Sequence, residues 1–279
     1  MLTHTVQTCA KINLMLDCVE KRNDGYHELD MIMQSVDLCD KVTLALNDSG
    51  IVTCKGIDIP DDKNIAVKAA KIFFEFCGKS NLGAEIVIEK NIPDCGGLAG
   101  GSSDAAAVLR ILDELIGDKD MYMLSSIALQ VGSDVPFALF GGTLHAQGRG
   151  EVLEQVQPLP ECYIVIKMCG KKESTGKAFD VLDNMKKPPH PDIDNFIGVL
   201  NTGDIDKIAP LCQNSFSVIY DFEDIKNTMQ GFGATGVSLS GAGPAVFGIF
   251  KDEKSALECA DSLGDAYFCK PTPISVYFE

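Results

Sequence analysis

Positive charge is scarce in this chain, and long apolar runs are missing altogether. Against 40 Asp and Glu stand 24 Lys and Arg, a net charge of −16. An excess of that sign repels nucleic acid and anionic lipid, so no nucleic-acid partner is expected. A small phosphorylated ligand needs only a few local donors and stays open. No apolar run approaches the roughly 18 residues of a membrane span, so no membrane partner is expected either. The first residues, MLTHTVQTCAKINLMLD, lack the basic start and apolar stretch of a signal peptide. The cysteines number 11, an odd count with scattered spacing and no C-x-x-C, which argues against both a disulfide framework and a zinc cluster. Several, such as Cys77 in KIFFEFC and Cys162 in ECYIVI, sit in apolar stretches where a reduced cysteine acts as a small hydrophobe. The expectation is a reduced, cytoplasmic protein.

What is present is an ordinary globular composition: 46% hydrophobic and 23% charged residues, with Pro 12 and Gly 26, which excludes disordered and collagenous chains. A length of 279 residues suits one large or two ordinary domains. Strands are expected at 8–19, 41–46 and 84–89, and helices at 64–77, 104–116 and about 120–131. The composition changes around Gln157-Pro158-Leu159-Pro160, which divides the chain into residues 1–157 and 158–279. Beyond it, strands are expected at 162–168, 236–240, 245–250, 266–269 and 274–278. Helices are expected at 174–185, 192–201, 216–230 and 253–263. Helix and strand alternate in both parts, as an α+β or α/β protein requires.

The most informative stretch is Ile92-Pro93-Asp94-Cys95-Gly96-Gly97-Leu98-Ala99-Gly100-Gly101-Ser102-Ser103-Asp104, between a strand and a strong helix. Free N–H groups at such a helix start, together with its dipole, make an anion site. Glycines at 96, 97, 100 and 101 let the backbone approach a phosphate, and the two serines add hydroxyls. No frame supplies the dinucleotide pattern G-x-G-x-x-G. Gly96 to Gly101 has the spacing of a Walker A loop, but Ser102 stands where its lysine belongs. The cation must come from elsewhere, with Lys11 and Lys90 as candidates.

Lys11 lies alone in the apolar strand Cys9-Ala10-Lys11-Ile12-Asn13-Leu14, and Asn13 shares its face. A strand lysine ordinarily points to solvent, yet two polar residues breaking one apolar face suggest a site. Asp134, in Gly132-Ser133-Asp134-Val135-Pro136, is either a helix cap or a functional acid, and local sequence does not decide between them. Ser238-Leu239-Ser240-Gly241-Ala242-Gly243-Pro244 is another backbone-rich turn. Asp24-Gly25-Tyr26-His27-Glu28 carries an aromatic ring and an imidazole on a loop.

Taken together, these segments resemble the GHMP kinase superfamily, whose three motifs occur in order. They are the strand with Lys11, the loop from Pro93 to Ser103, and the late turn Ser240-Gly241-Ala242-Gly243. The stretches AKINL at 10–14, DGYHEL at 24–29, GSDVPFALFGGT at 132–143 and GRGE at 148–151 are similar to a branch whose acceptor carries cytidine diphosphate. The likeness covers most of residues 1–155 and returns at 236–250. Ala99 stands where many members have glycine. The resemblance implies a two-lobed α+β fold, with an N-terminal lobe like ribosomal protein S5 domain 2 and a ferredoxin-like C-terminal lobe. It implies ATP and Mg2+ as cofactors, and phosphoryl transfer to a small-molecule cytidine diphosphate substrate in isoprenoid precursor synthesis by the non-mevalonate route. Asp134 would be the general base and Lys11 its cationic partner. Pro93, Asp94, Cys95, Gly96, Gly97, Leu98, Ala99, Gly100, Gly101, Ser102 and Ser103 would wrap the ATP phosphates, with Ser103 as metal ligand. Asn64 and Lys90 would lie near the adenosine. Asn13, Tyr26, His27, Ser240 and Gly241 would line the acceptor side, with Phe179 stacked on the base opposite Tyr26. A monomer or weak homodimer is expected. Another small-molecule kinase of the superfamily, of homoserine or mevalonate type, and a non-catalytic nucleotide-binding protein remain as alternatives.

Overall fold

The computed structural model describes residues 2–117, 120–171 and 174–278. Two long strands, β1 (Thr3–Lys21) and β2 (His27–Asn47), form an antiparallel ribbon that runs through the whole molecule. Around it are β3 (Val52–Lys55), α1 (Ile65–Phe76), β4 (Gly83–Glu89), α2 (Gly100–Ile116), α3 (Met121–Val131), α4 (Val135–Phe140), β5 (Thr143–Gly148) and β6 (Val152–Gln155). The later part contributes β7 (Tyr163–Met168), α5 (Thr175–Asp183), α6 (Ile193–Leu200), α7 (Ile205–Ile208), β8 (Gln213–Asn214), α8 (Glu223–Gly231), β9 (Gly236–Leu239), β10 (Ala245–Phe250), α9 (Glu253–Leu263), β11 (Ala266–Cys269) and β12 (Val276–Phe278).

The first sheet has the order β12-β1-β2-β4-β3, with β5 and β6 added on β2 and β8 beside β1. The second is a four-stranded antiparallel sheet, β11-β7-β10-β9. The second sheet lies wholly beyond residue 158, but β8 and β12 return to pair with β1. One buried cluster also joins Ile12 and Ile32 of the ribbon to Ile164, Phe196 and Phe247, so the two sheets share a core.

Several sequence expectations need correction. The strand at 41–46 is only the end of β2. Residues Met31 to Val36 are buried on both faces and carry no alternation to recognise. The strands β5 and β6 were not expected at all. The helix expected at 216–230 is instead a 3-10 turn at Ser215–Ile219 followed by α8. The helix expected from residue 104 begins at Gly100, because two glycines hid its first turn. The cysteines are not all free: Cys9 and Cys39 face each other across β1 and β2 and are joined by a disulfide. A scattered spacing of cysteines carries no signal of a cross-strand neighbour.

The elements around the cleft are fixed by local chemistry. Asn64 caps α1, its side chain accepting from the Ala66 N–H at 2.9 Å. Buried apolar residues at helical spacing, Ala66, Ala70 and Phe73 among them, seat α1 against α2. A buried charge cluster fixes where the glycine-rich loop starts. Asp40 accepts the N–H groups of Asn91 and Ile92 at 2.6 and 2.8 Å and pairs with Lys90. Lys90 also reaches Asp104 of α2 at 3.0 Å.

Two buried carboxylates thus share one ammonium, and Asp104 Oδ1 has no partner among the described residues. Burial, with Asp40 nearby and against the pull of Lys90, pushes the Asp104 carboxyl up to about 7. An acid raised in this way binds its proton more tightly folded than unfolded. Its ionisation therefore costs stability progressively between about pH 4 and pH 7, and fully above that. Asp104→Asn is expected to raise Tm more at pH 8 than at pH 5, on a scale of about 2–4 °C per kcal/mol for a chain of this size. Thermal melts at the two pH values test this, and an equal shift at both would show that Asp104 is ionised throughout.

Candidate active site

The segments singled out in the sequence meet at one cleft of about 880 Å³. Its phosphate-type end is the stretch 93–102 running into α2. The chain turns into that helix through Ala99, at φ 60°, and no side chain caps the first turn among the described residues. Its leading N–H groups therefore remain available to an anion. The loop is held from behind by two backbone bonds and one from a side chain. The Lys11 N–H donates to Leu98 O at 3.0 Å, the Ala245 N–H to Gly96 O at 3.0 Å, and the Ser240 hydroxyl to Gly97 O at 3.0 Å. A Cβ at Gly97 would meet Ser240 O at 2.3 Å, so only glycine permits this approach.

At the middle of the cleft stands Lys11. It is 4% exposed, which overturns the ordinary expectation for a strand lysine. Its Nζ donates to Asn13 Oδ1 at 2.6 Å and lies 3.8 Å from Asp134 Oδ2. Burial lowers the Lys11 pKa, opposed by the Asp134 charge. Asp134 occupies the cap position of α4 but makes no capping bond among the described residues, and its carboxylate faces the cleft. The capping reading is therefore not taken up, and the carboxylate stands at the cleft beside Lys11.

The other end is lined by side chains. Tyr26 is half exposed, and the Arg149 guanidinium lies over its ring at 3.6 Å from the centroid. His27 stacks on Phe179 with centroids 4.3 Å apart, and Phe179 meets Phe216 edge-on at 4.9 Å. Phe179 thus packs on the imidazole while lining the same cleft as Tyr26.

Other expected site residues stand elsewhere. Asn13 and Ser240 are fully buried behind the cleft wall, and they hold Lys11 and the loop in place. Gly241 does reach the cleft, and its N–H donates to Asn13 Oδ1 at 2.9 Å. Leu98 packs in the core. Ser103 is 1% exposed, and its hydroxyl donates to Cys9 O at 2.8 Å, so of the two loop serines it is Ser102 that faces the cleft. Lys90 is committed to two carboxylates, and neither it nor Asn64 lines the cleft, whereas Ile65 does. Sequence reasoning missed Arg149, although it lies between two positive-φ glycines, Gly148 and Gly150. It also passed over Lys21, which lines the cleft and to which nothing in the local pattern draws attention.

Known proteins resemble this chain over most of its length. The model for the GHMP kinases N terminal domain matches residues 64–142, and that for the GHMP kinases C terminal domain matches 198–268. A 4-diphosphocytidyl-2-C-methyl-D-erythritol kinase of Caldicellulosiruptor saccharolyticus is 42% identical, covering 91% of this chain and 90% of the relative. A protein of the same name from Clostridium tetani is 36% identical over 94% of this chain and 96% of its own length. The chain belongs to the GHMP kinase family. A crystal structure of 4-(cytidine 5'-diphospho)-2C-methyl-D-erythritol kinase superposes with TM-score 0.80 at 30% identity, over 97% of this chain and 99% of that one. A homoserine kinase of Cytophaga hutchinsonii shares the fold, with TM-score 0.79 at 19% identity. No helix among the described residues is long and apolar enough to cross a membrane.

The left-handed conformation of Ala99 stores local strain. A left-handed L-residue costs roughly 1–2 kcal/mol. Ala99→Gly is expected to gain about 1 kcal/mol, partly offset by the entropy of a freer unfolded chain. Denaturant unfolding measures this, and a loss of stability would mean that the methyl group packs better than its backbone is strained.

Proposed function

We propose that this GHMP kinase transfers the γ-phosphoryl group of ATP to the 2-hydroxyl of 4-diphosphocytidyl-2-C-methyl-D-erythritol. The observation that carries the reading is the buried Lys11 ammonium, 3.8 Å from Asp134, midway between a backbone-lined anion cradle and an aromatic, cationic pocket. The names of the relatives, at 36% and 42% identity over most of the chain, supply the acceptor.

Phosphoryl transfer asks mainly for positioning and charge neutralisation. The first N–H groups of α2 and the Ser102 hydroxyl suit the ATP phosphates. Mg2+ accompanying ATP would take the Ser102 hydroxyl together with phosphate oxygens, and when bound it supplies further neutralisation of their charge. Ser103 does not suit that role, because its hydroxyl is buried away from the cleft against β1. Asp134 accepts the proton of the attacking hydroxyl. The Lys11 ammonium stands 3.8 Å from that carboxylate and lies where charge builds up during transfer. Tyr26, with Arg149 over its face, offers the stacking surface and cation that a cytidine diphosphate calls for.

Asp134→Asn is expected to fold normally and lower kcat by at least about a hundredfold, the usual scale for losing a general base. Lys11→Met is expected to lower kcat strongly without lowering Tm, because it removes a buried charge whose desolvation opposes folding. Near-parental turnover in either purified variant would remove that residue from the mechanism.

The two ends of the cleft are separable by Michaelis constants. Tyr26→Ala is expected to raise the acceptor KM about ten- to a hundredfold, from stacking worth roughly 1–3 kcal/mol, and to spare the ATP KM. On the ATP side, a Cβ at Gly100 would strike Ile92 at 3.0 Å, inside the fold, so that position is a poor probe. A Cβ at Gly101 meets only Ile65, at 3.4 Å, and Gly101 lines the cleft. Gly101→Val is therefore expected to raise the ATP KM and spare the acceptor KM. Equal activity on an acceptor that lacks cytidine would point to another kinase of the family.

A further inference from the structure

Behind the acceptor pocket, three side chains from separate elements form a closed set. Lys21 at the end of β1 and His27 at the start of β2 are direct partners in the ladder. Both reach Asp183, the last residue of α5. Lys21 Nζ donates to Asp183 Oδ2 at 2.6 Å, and His27 Nε2 lies 2.8 Å from Asp183 Oδ1. Phe179, one helical turn earlier on the same face of α5, covers one face of the imidazole at 4.3 Å. The His27 side chain is only 8% exposed, and it divides the main cleft from a second cavity of about 450 Å³. The two contacts fix the ring in plane and in rotation.

We propose that Asp183 is a positioning residue for the acceptor: it sets the tautomer and orientation of His27 and thereby the affinity for the nucleoside end of the substrate. The proposal rests on the function given above. An ionised carboxylate can only accept, so the neutral imidazole facing it must carry its proton on Nε2. Bonds from Lys21 and then from His27 hold the Asp183 carboxyl below its ordinary range, which keeps it an acceptor. Nε2 is the only ring nitrogen with a bond among the described residues, so Nδ1 is left with a lone pair. A lone pair suits a base that presents an amino group and repels one that presents a carbonyl oxygen at the same place. Without Asp183 the ring would divide between two tautomers, and only one of them offers that acceptor.

The tautomer can be measured on the free protein by nitrogen-15 NMR above about pH 8, where an ordinary imidazole is neutral. His4, His27, His145 and His190 are the only histidines, so a His27→Gln variant assigns the signal. The parent is expected to show His27 protonated on Nε2 alone, and Asp183→Ala to show the two tautomers averaged. A bare Nε2 in the parent, or unchanged signals in the variant, would overturn the proposal.

Kinetics give the second arm. Asp183→Ala is expected to raise the acceptor KM about tenfold, the scale of one charge-assisted hydrogen bond, with kcat and the ATP KM within about twofold of the parent. In a His27→Ala background the same change should add nothing. Asp183→Asn keeps an oxygen for the Nε2–H and should recover most of the loss, and it remains available should the alanine variant fail to fold. Additive effects, or kcat and both KM values moving together, would mark Asp183 as merely structural. A parent with the expected tautomer but no activity on the cytidine diphosphate acceptor would overturn the function and leave the role of Asp183 in setting the ring intact.

Discussion

The site depends on one buried amide. Asn13 Oδ1 accepts both the Lys11 ammonium at 2.6 Å and the Gly241 N–H at 2.9 Å, while the Asn13 N–H donates to Ser240 Oγ at 3.3 Å. The Ser240 hydroxyl passes the linkage on to the glycine-rich loop at Gly97 O. Burying an ammonium is costly unless it is well bonded, and a bond to a charged donor is among the stronger kinds. The choice of amide over carboxylate matters. An aspartate at this position would neutralise Lys11 and draw it from Asp134. A neutral carbonyl fixes the ammonium in place and leaves its charge to act across the cleft.

From that centre the two ends of the cleft are built on different principles. The phosphate end is made of backbone: uncapped N–H groups at the start of α2, approached through residues at positive φ and clamped by main-chain bonds to β1 and β10. Backbone donors read charge and shape and are indifferent to what lies beyond the phosphates. The opposite end is made of side chains, Tyr26, Arg149 and the His27–Phe179 stack, groups whose rings, donors and acceptors suit discrimination between ligands. A family can therefore keep the first end and vary the second.

How much of this was legible in the sequence follows the same division. Backbone features leave glycines, and glycines are visible: the loop at 96–101 and the turn at 240–243 stand out, and the helix behind them was recognised from its apolar spacing. Lys11 and Asn13 were noticeable because they interrupt an apolar strand. Their burial was not, since strand periodicity says which residues share a face and not what covers that face. The cover comes from Leu98 and from the turn at Ser240, far along the chain. Arg149, though inside the GRGE stretch, was not readable as a cleft residue, and Lys21 and Asp183 were invisible, for a related reason. Each is an ordinary surface-type charge in its own segment, and only the tertiary fold brings it to Tyr26 or His27. The disulfide between Cys9 and Cys39 belongs with them, because pairing across a ladder depends on register.

Charge accounting around the loop completes the argument. A Walker A loop carries its own lysine, and here Ser102 takes that position, so the phosphates need a cation from another segment. Lys90 is the nearer in sequence, yet it stands between Asp40 and Asp104, two acids for one base, and has no charge to spare. Lys11 meets a neutral amide and lies 3.8 Å from a single carboxylate, which is partly solvated at 35% exposure. Its field therefore extends into the cleft. In a chain with a net charge of −16, the position of a cation matters less than how its neighbours leave it, and Lys11 is left charged toward the cleft while Lys90 is left neutralised.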